Sequence, residues 1–136
     1  MTYAVSYALQ QAIFGVLSND AALGALVGSN VFDAPPSGSI PNNYVVLGDE
    51  IAKDKSSKTS GGATHELDIK VVSDAAGFAT AKQVSAAICD ALIDADLTLT
   101  RGNLVSLAFK SARALREDSP GIRQISLKFL AFVEDS

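Results

Sequence analysis

The chain has no tryptophan, one histidine (His65) and one cysteine (Cys89). A single cysteine excludes an intramolecular disulfide and offers no metal-ligand spacing, and it fits a reducing compartment. One histidine leaves one ready general base near neutral pH. Basic excess is missing too: 11 Lys and Arg stand against 15 Asp and Glu, a net charge of −4. Binding to nucleic acid through a basic face needs clustered cations that release counterions from phosphates. Such binding is therefore not expected, although an acidic protein can sit beside DNA where the task is to let DNA pass. Long apolar runs are also absent. The stretch "MTYAVSYALQQAIFGVLSND" is broken by Gln10 and Gln11 and has no basic start, so neither a signal peptide nor a membrane span is expected. Synthesis and folding are expected in the cytoplasm.

What is present is globular. The 136 residues are 48% hydrophobic and 19% charged, which suits one domain over 1–136 with a core of its own. A chain of this length buries roughly two-thirds of its unfolded surface without needing staples. Alanine supplies much of the hydrophobic count, so the core is expected to rest on Leu, Ile, Val and the six Phe.

Apolar residues at helical spacing (Val5, Leu9, Ala12, Ile13, Val16, Leu17) predict a helix over 3–17. "SND" at 18–20 offers a stop and a new N-cap, and "AALGALVG" a short second helix closed by Gly28. A brief strand at Val31 and Phe32 precedes a loop that Pro35, Pro36 and Pro41 keep irregular. Strands are predicted over 44–51 and 64–72, where Leu67, Ile69 and Val71 alternate with Glu66, Asp68 and Lys70. The main helix is predicted over 76–96, on the stripe Ala81, Val84, Ile88, Ala91 and Leu92. Two long strands close the chain. Val105, Leu107 and Phe109 alternate on the first, and Ile125, Leu127, Phe129, Ala131 and Val133 on the second. Leu130 and Phe132 give the last strand a second apolar face, which suggests a further layer or a neighbouring subunit. The order predicts an α+β fold: an antiparallel or mixed sheet of two hairpins with helices on one face.

No catalytic constellation emerges. His65 shares a strand face with Leu67 and Ile69, while Asp68 falls on the other face, which disfavours a local Ser-His-Asp arrangement. Cys89 reads as a small hydrophobe in mid-helix. Asp90 and Asp94 share a helical face with no third ligand at metal spacing. "SGGAT" (60–64) lacks the ending of a phosphate loop and precedes a strand, where such loops feed a helix. No catalytic, cofactor-binding or metal-binding residue is assigned.

The tract 52–63 is the anomaly. Two to five residues close most hairpins, yet a dozen polar, glycine-rich residues stand here. Lys53, Lys55 and Lys58 face a single acid, Asp54. Alone such a tract cannot offset its ordering entropy. It reads as an arm that orders against another subunit, with lysines meeting acids such as Asp49 and Glu50, or Glu117 and Asp118, of the neighbour. Expected contact residues are Lys53, Asp54, Lys55, Ser57, Lys58 and Thr59 on the arm, with Leu130 and Phe132 on the last strand.

The segments "AALGALVGSNVFDAPP", "YVVLGDE", "SGGATHELDIKVVSDAAGFATAKQVSAAICDAL", "LVSLAFKSARALRE" and "GIRQISLKFLAFVE", in that order, resemble the tail-terminator (tail-completion) proteins. These belong to phages with long, non-contractile tails and to phage-derived gene transfer agents. The Gly-Gly, strand and "AG" run before the long helix and the start "AALGALVG…VFDAPP" are its most specific parts. The resemblance implies a ring, usually of six subunits, that caps the head-proximal end of the tail tube once the tube is complete. It implies a tube protein and a head-side stopper as partners, double-stranded DNA passing through the lumen without specific binding, and no catalytic residues. The family's long hairpin loop corresponds to Lys53–His65. Virion neck is the implied location, after assembly in the bacterial cytoplasm. The alternatives are another head–tail connector or tail-tube protein and, from a different class, a small enzyme or ligand-binding domain built on His65.

Overall fold

The computed structural model describes residues 3–56, 61–93, 95–117 and 121–135. Eight elements follow one another: α1 (Ser6–Asn19), α2 (Ala21–Val27), β1 (Val31–Phe32), β2 (Asn43–Asp54), β3 (Gly62–Ser73), α3 (Ala79–Ile93), β4 (Asn103–Glu117) and β5 (Ile122–Glu134). The strands form one five-stranded sheet in the order β1-β2-β3-β5-β4. β1 is parallel to β2, and every other pairing is antiparallel. The sheet is thus mixed and the fold α+β.

Local chemistry sets the helix ends. Asp20 ends α1 in an extended conformation and caps α2, its Oδ2 accepting the Leu23 N–H at 2.9 Å. Gly28 closes α2 with φ +62 and donates its N–H to the Gly24 carbonyl at 2.8 Å. α3 begins at Ala79 and ends at Ile93, shorter at both ends than the periodicity of 76–96 suggests.

One face of the sheet carries the core. Leu9, Ile13 and Leu17 of α1, Leu23 and Val27 of α2, and Ala81, Val84, Ile88 and Leu92 of α3 pack on Val45, Ile69, Val71 and the inward row of β5. That row is Ile125, Leu127, Phe129, Ala131 and Val133, all buried. The alternation read from β5 holds along its length, because its pairing with β3 runs unbroken from Gly62↔Glu134 to Ser73↔Arg123.

β4 departs from its sequence pattern. Its register slips between Leu104 and Ser106 and again between Phe109 and Ser111. Each bulge sets two residues opposite one and reverses the alternation beyond it. Leu104 and Leu107 therefore reach the core while Val105 turns outward. Phe109 stays half exposed, edge-on to Phe129 with ring centroids 5.9 Å apart.

The β2–β3 hairpin is longer than predicted. Ala52↔His65, Lys53↔Thr64 and Asp54↔Ala63 are strand pairs, and the Lys55 N–H reaches the Gly62 carbonyl at 2.8 Å. The polar tract predicted over 52–63 thus gives up its first three and last two residues to the ladder. Lysine, aspartate and glycine favour strands weakly, but β5 extends the ladder on the other side of β3 as far as Gly62.

Candidate assembly surface

The second face of the sheet has no further layer over it among the described residues. Register places Ile51, Lys53, Thr64, Glu66, Leu130, Phe132 and Ala108 together on this face at the hairpin end. Ile51, Lys53, Lys55, Thr64, Glu66, Lys110 and Leu130 line an open depression of ≈ 210 Å³. The structure therefore brings three of the expected contact residues, Lys53, Lys55 and Leu130, around one hollow. Phe132 borders it opposite Thr64, half buried, with its ring edge 3.2 Å from where a Cβ on Gly62 would stand. Asp54 pairs with Ala63 on the helix-bearing face. Its carboxylate accepts from the Ser56 hydroxyl at 2.6 Å and the Ser56 N–H at 3.1 Å, and these bonds hold it below the usual carboxylate range. Ser57, Lys58 and Thr59 lie outside the described residues.

Sequence reasoning missed three members of this surface. Glu66 accepts a hydrogen bond from the Lys110 ammonium at 2.9 Å, which lowers its pKa. Lys110 reaches it from the second β4 bulge, a displacement that periodicity does not reveal. Ile51 is 54% exposed, a bare isoleucine beside three lysines. Across the whole sheet face, Lys53, Lys70, Lys110, Arg113 and Lys128 stand against Glu66, Asp68 and Glu134. This side is net basic in a chain of net charge −4, so the acids concentrate on the remainder.

Behind the hairpin, on the helix-bearing face, lies a polar cluster. His65 is fully buried, and its Nδ1 stands 2.8 Å from Glu50 Oε2. Ser6 donates to both Glu50 oxygens, at 2.8 and 3.0 Å, and the Tyr3 hydroxyl donates to Oε1. Burial alone would push the Glu50 carboxyl up. The bonds from Tyr3, His65 and Ser6 outweigh it and hold the group below its usual range. An ionised carboxylate only accepts, so the imidazole donates through Nδ1. Glu50 therefore faces inward and is no surface patch for a neighbour's lysines, whereas Asp49 is exposed.

This cluster fixes the His65 ring through Glu50. The Ser6 hydroxyl bonds Glu50, not the imidazole, and Asp68 lies on the other sheet face. The small hollow beside them, lined by Gly48, Glu50 and Asp68 among others, measures ≈ 50 Å³, room for a water or two. Cys89 packs half buried against the core, and burial pushes its thiol up, away from the reactive thiolate. Among the described residues no three His, Cys, Asp or Glu side chains gather as a metal site, and no helix is long and apolar enough to cross a membrane.

Comparison with known proteins places the chain in a family and beside solved structures. Residues 11–134 match the family model described as tail completion protein gp17. A solved chain from the virion of a native gene transfer agent particle is 51% identical and superposes with a TM-score of 0.92, over 98% of this chain and 99% of that one. No curated protein matches.

Proposed function

The chain belongs to the tail completion protein gp17 family, and from that premise we propose that it is the ring, of six subunits, that caps the head-proximal end of a tail tube. Its role in the phage-type tail is structural. In this reading the ring stops tube growth, presents its other side to the head-side stopper, and lets double-stranded DNA through its centre without reading sequence. The likeness to a chain of a gene transfer agent virion, spanning nearly all of both chains, supports placement in such a particle.

The observation that carries the reading is the open sheet face at the hairpin end. Ile51, Leu130 and Lys53 share one open hollow there, a mixture of bare apolar and charged side chains that suits a polar-rimmed protein contact. A closed ring needs two different complementary patches per subunit. The hairpin end, with Lys53, Lys55 and Leu130 around one hollow, supplies one of them.

Electron microscopy of the purified protein mixed with tubes of the matching tube protein tests this. Density capping one end of each tube, with further growth blocked, is the expected result. Stacked rings would instead make it a tube protein. Binding only to the head-side connector would make it a stopper.

A further inference from the structure

Both margins of the sheet have an unpaired side. Among the described residues β4 pairs with β5 alone, along its full 15 residues. β1 covers β2 only at Val45 and Val46, so no described strand lies beside Leu47–Asp54 on the outer side. Each margin thus presents backbone N–H and C=O groups that another strand can satisfy.

The topology fixes how two copies can meet. Three antiparallel steps, β2 to β3, β3 to β5 and β5 to β4, separate the margins. β2 and β4 therefore run in opposite directions. A rotation about an axis along the strands leaves strand directions unchanged, so it sets one copy's β2 antiparallel beside the next copy's β4. The contact joins two different margins, leaves one of each free at the ends, and repeats until the rotation closes.

The side chains agree with this pairing. Through the ladder Leu47 of β2 is level with Ala112 of β4, and Asp54 with Leu104. Over residues 104–112 β4 carries one lysine, Lys110, and no acid, while over 47–54 β2 exposes two acids, Asp49 and Asp54, beside Lys53. Opposite charges across paired strands are favourable and like charges are not. Both margins also expose apolar side chains, Ile51 on β2 and Val105 (55%) and Phe109 (48%) on β4. Such groups on a long open edge are what a solitary soluble protein avoids.

We propose that copies of this chain join through β2 of one and β4 of the next, paired antiparallel, so that one continuous sheet runs around the ring. This rests on the ring proposed above. Ile51 and Ala108 provide the test: both are exposed, one on each margin, and register sets them level on the bare face through Glu66 and Leu130. With Cys89→Ala as background, Ile51→Cys plus Ala108→Cys should give a ladder of subunit multiples with a short flexible bis-maleimide, while each single variant stays uncrosslinked. Amide exchange over residues 104–112 should slow by about tenfold or more on ring formation. Crosslinking of the Ala108→Cys single variant would mean that β4 pairs with itself and would overturn the proposal. Rings seen by native mass spectrometry that the double variant cannot crosslink would also overturn it and leave the ring standing. No ring, free or on tube ends, would remove the ring and this interface with it.

Discussion

Gly102 stands where the start of β4, the end of β5 and the N-terminal segment converge. Its φ is +74, and a Cβ there would lie 2.6 Å from the Glu134 carbonyl oxygen and 3.0 Å from a Val5 methyl. A left-handed backbone already costs a larger residue about 1–2 kcal/mol, and the backbone oxygen cannot step aside. Gly102→Ala is expected to destabilise the protein by about 2 kcal/mol or more in chemical denaturation. Gly15 offers the contrast: it lies inside α1 with nothing within 4 Å of an added Cβ. Gly15→Ala should raise stability by about 0.5–1 kcal/mol through helix propensity. Two identical substitutions thus move stability in opposite directions, and only backbone geometry separates them.

At the scale of elements, the Glu50–His65–Ser6–Tyr3 cluster ties α1 and the residues before it to the hairpin. A carboxylate held below its unfolded pKa stabilises fully above that unfolded value, and the contribution fades as pH falls through the folded value. Unfolding free energy should therefore drop on acidification below the ordinary carboxylate range. Glu50→Gln should cost about 1–3 kcal/mol near neutral pH and flatten that acid dependence, as urea titrations across pH would read. The hairpin end behaves differently, because Lys53 and Lys55 are exposed. Lys53→Glu with Lys55→Glu should change monomer stability by less than about 0.5 kcal/mol yet prevent capping of tube ends, scored by electron microscopy. What the sequence disclosed follows the same division. The caps at Asp20 and Gly28 and the alternation of β5 are local signals, and they were legible. The first β4 bulge leaves the same residues in the string while exchanging their faces, so alternation misassigned Val105, while Phe109 keeps the face of Leu107 opposite Phe129. The Glu50 cluster joins Tyr3 to a carboxylate 47 positions away, a pairing no spacing rule reaches. Lys53, Lys55 and Leu130 were legible as an odd composition, whereas their partners Glu66 and Lys110 required the register.

For the whole molecule, the two faces of the sheet divide the labour. The helix-bearing side holds the core and leaves the excess of acid on the remainder of the surface, while the bare side gathers Lys53, Lys70, Lys110, Arg113 and Lys128. The three register slips divide unevenly as well. One lies on β2 and two on β4, while the β3–β5 ladder has none through twelve pairs. Exchange of backbone amides should be slowest in β3 and β5 and faster at Leu47–Glu50 and Leu104–Ser111, measured by mass spectrometry or nuclear magnetic resonance. Mechanically, the protein is a stiff plate with pliant margins, since an unbroken ladder resists bending and a bulge yields to it. A collar built from such plates would meet a tube of slightly different diameter by flexing at its seams, while each subunit's core kept its shape.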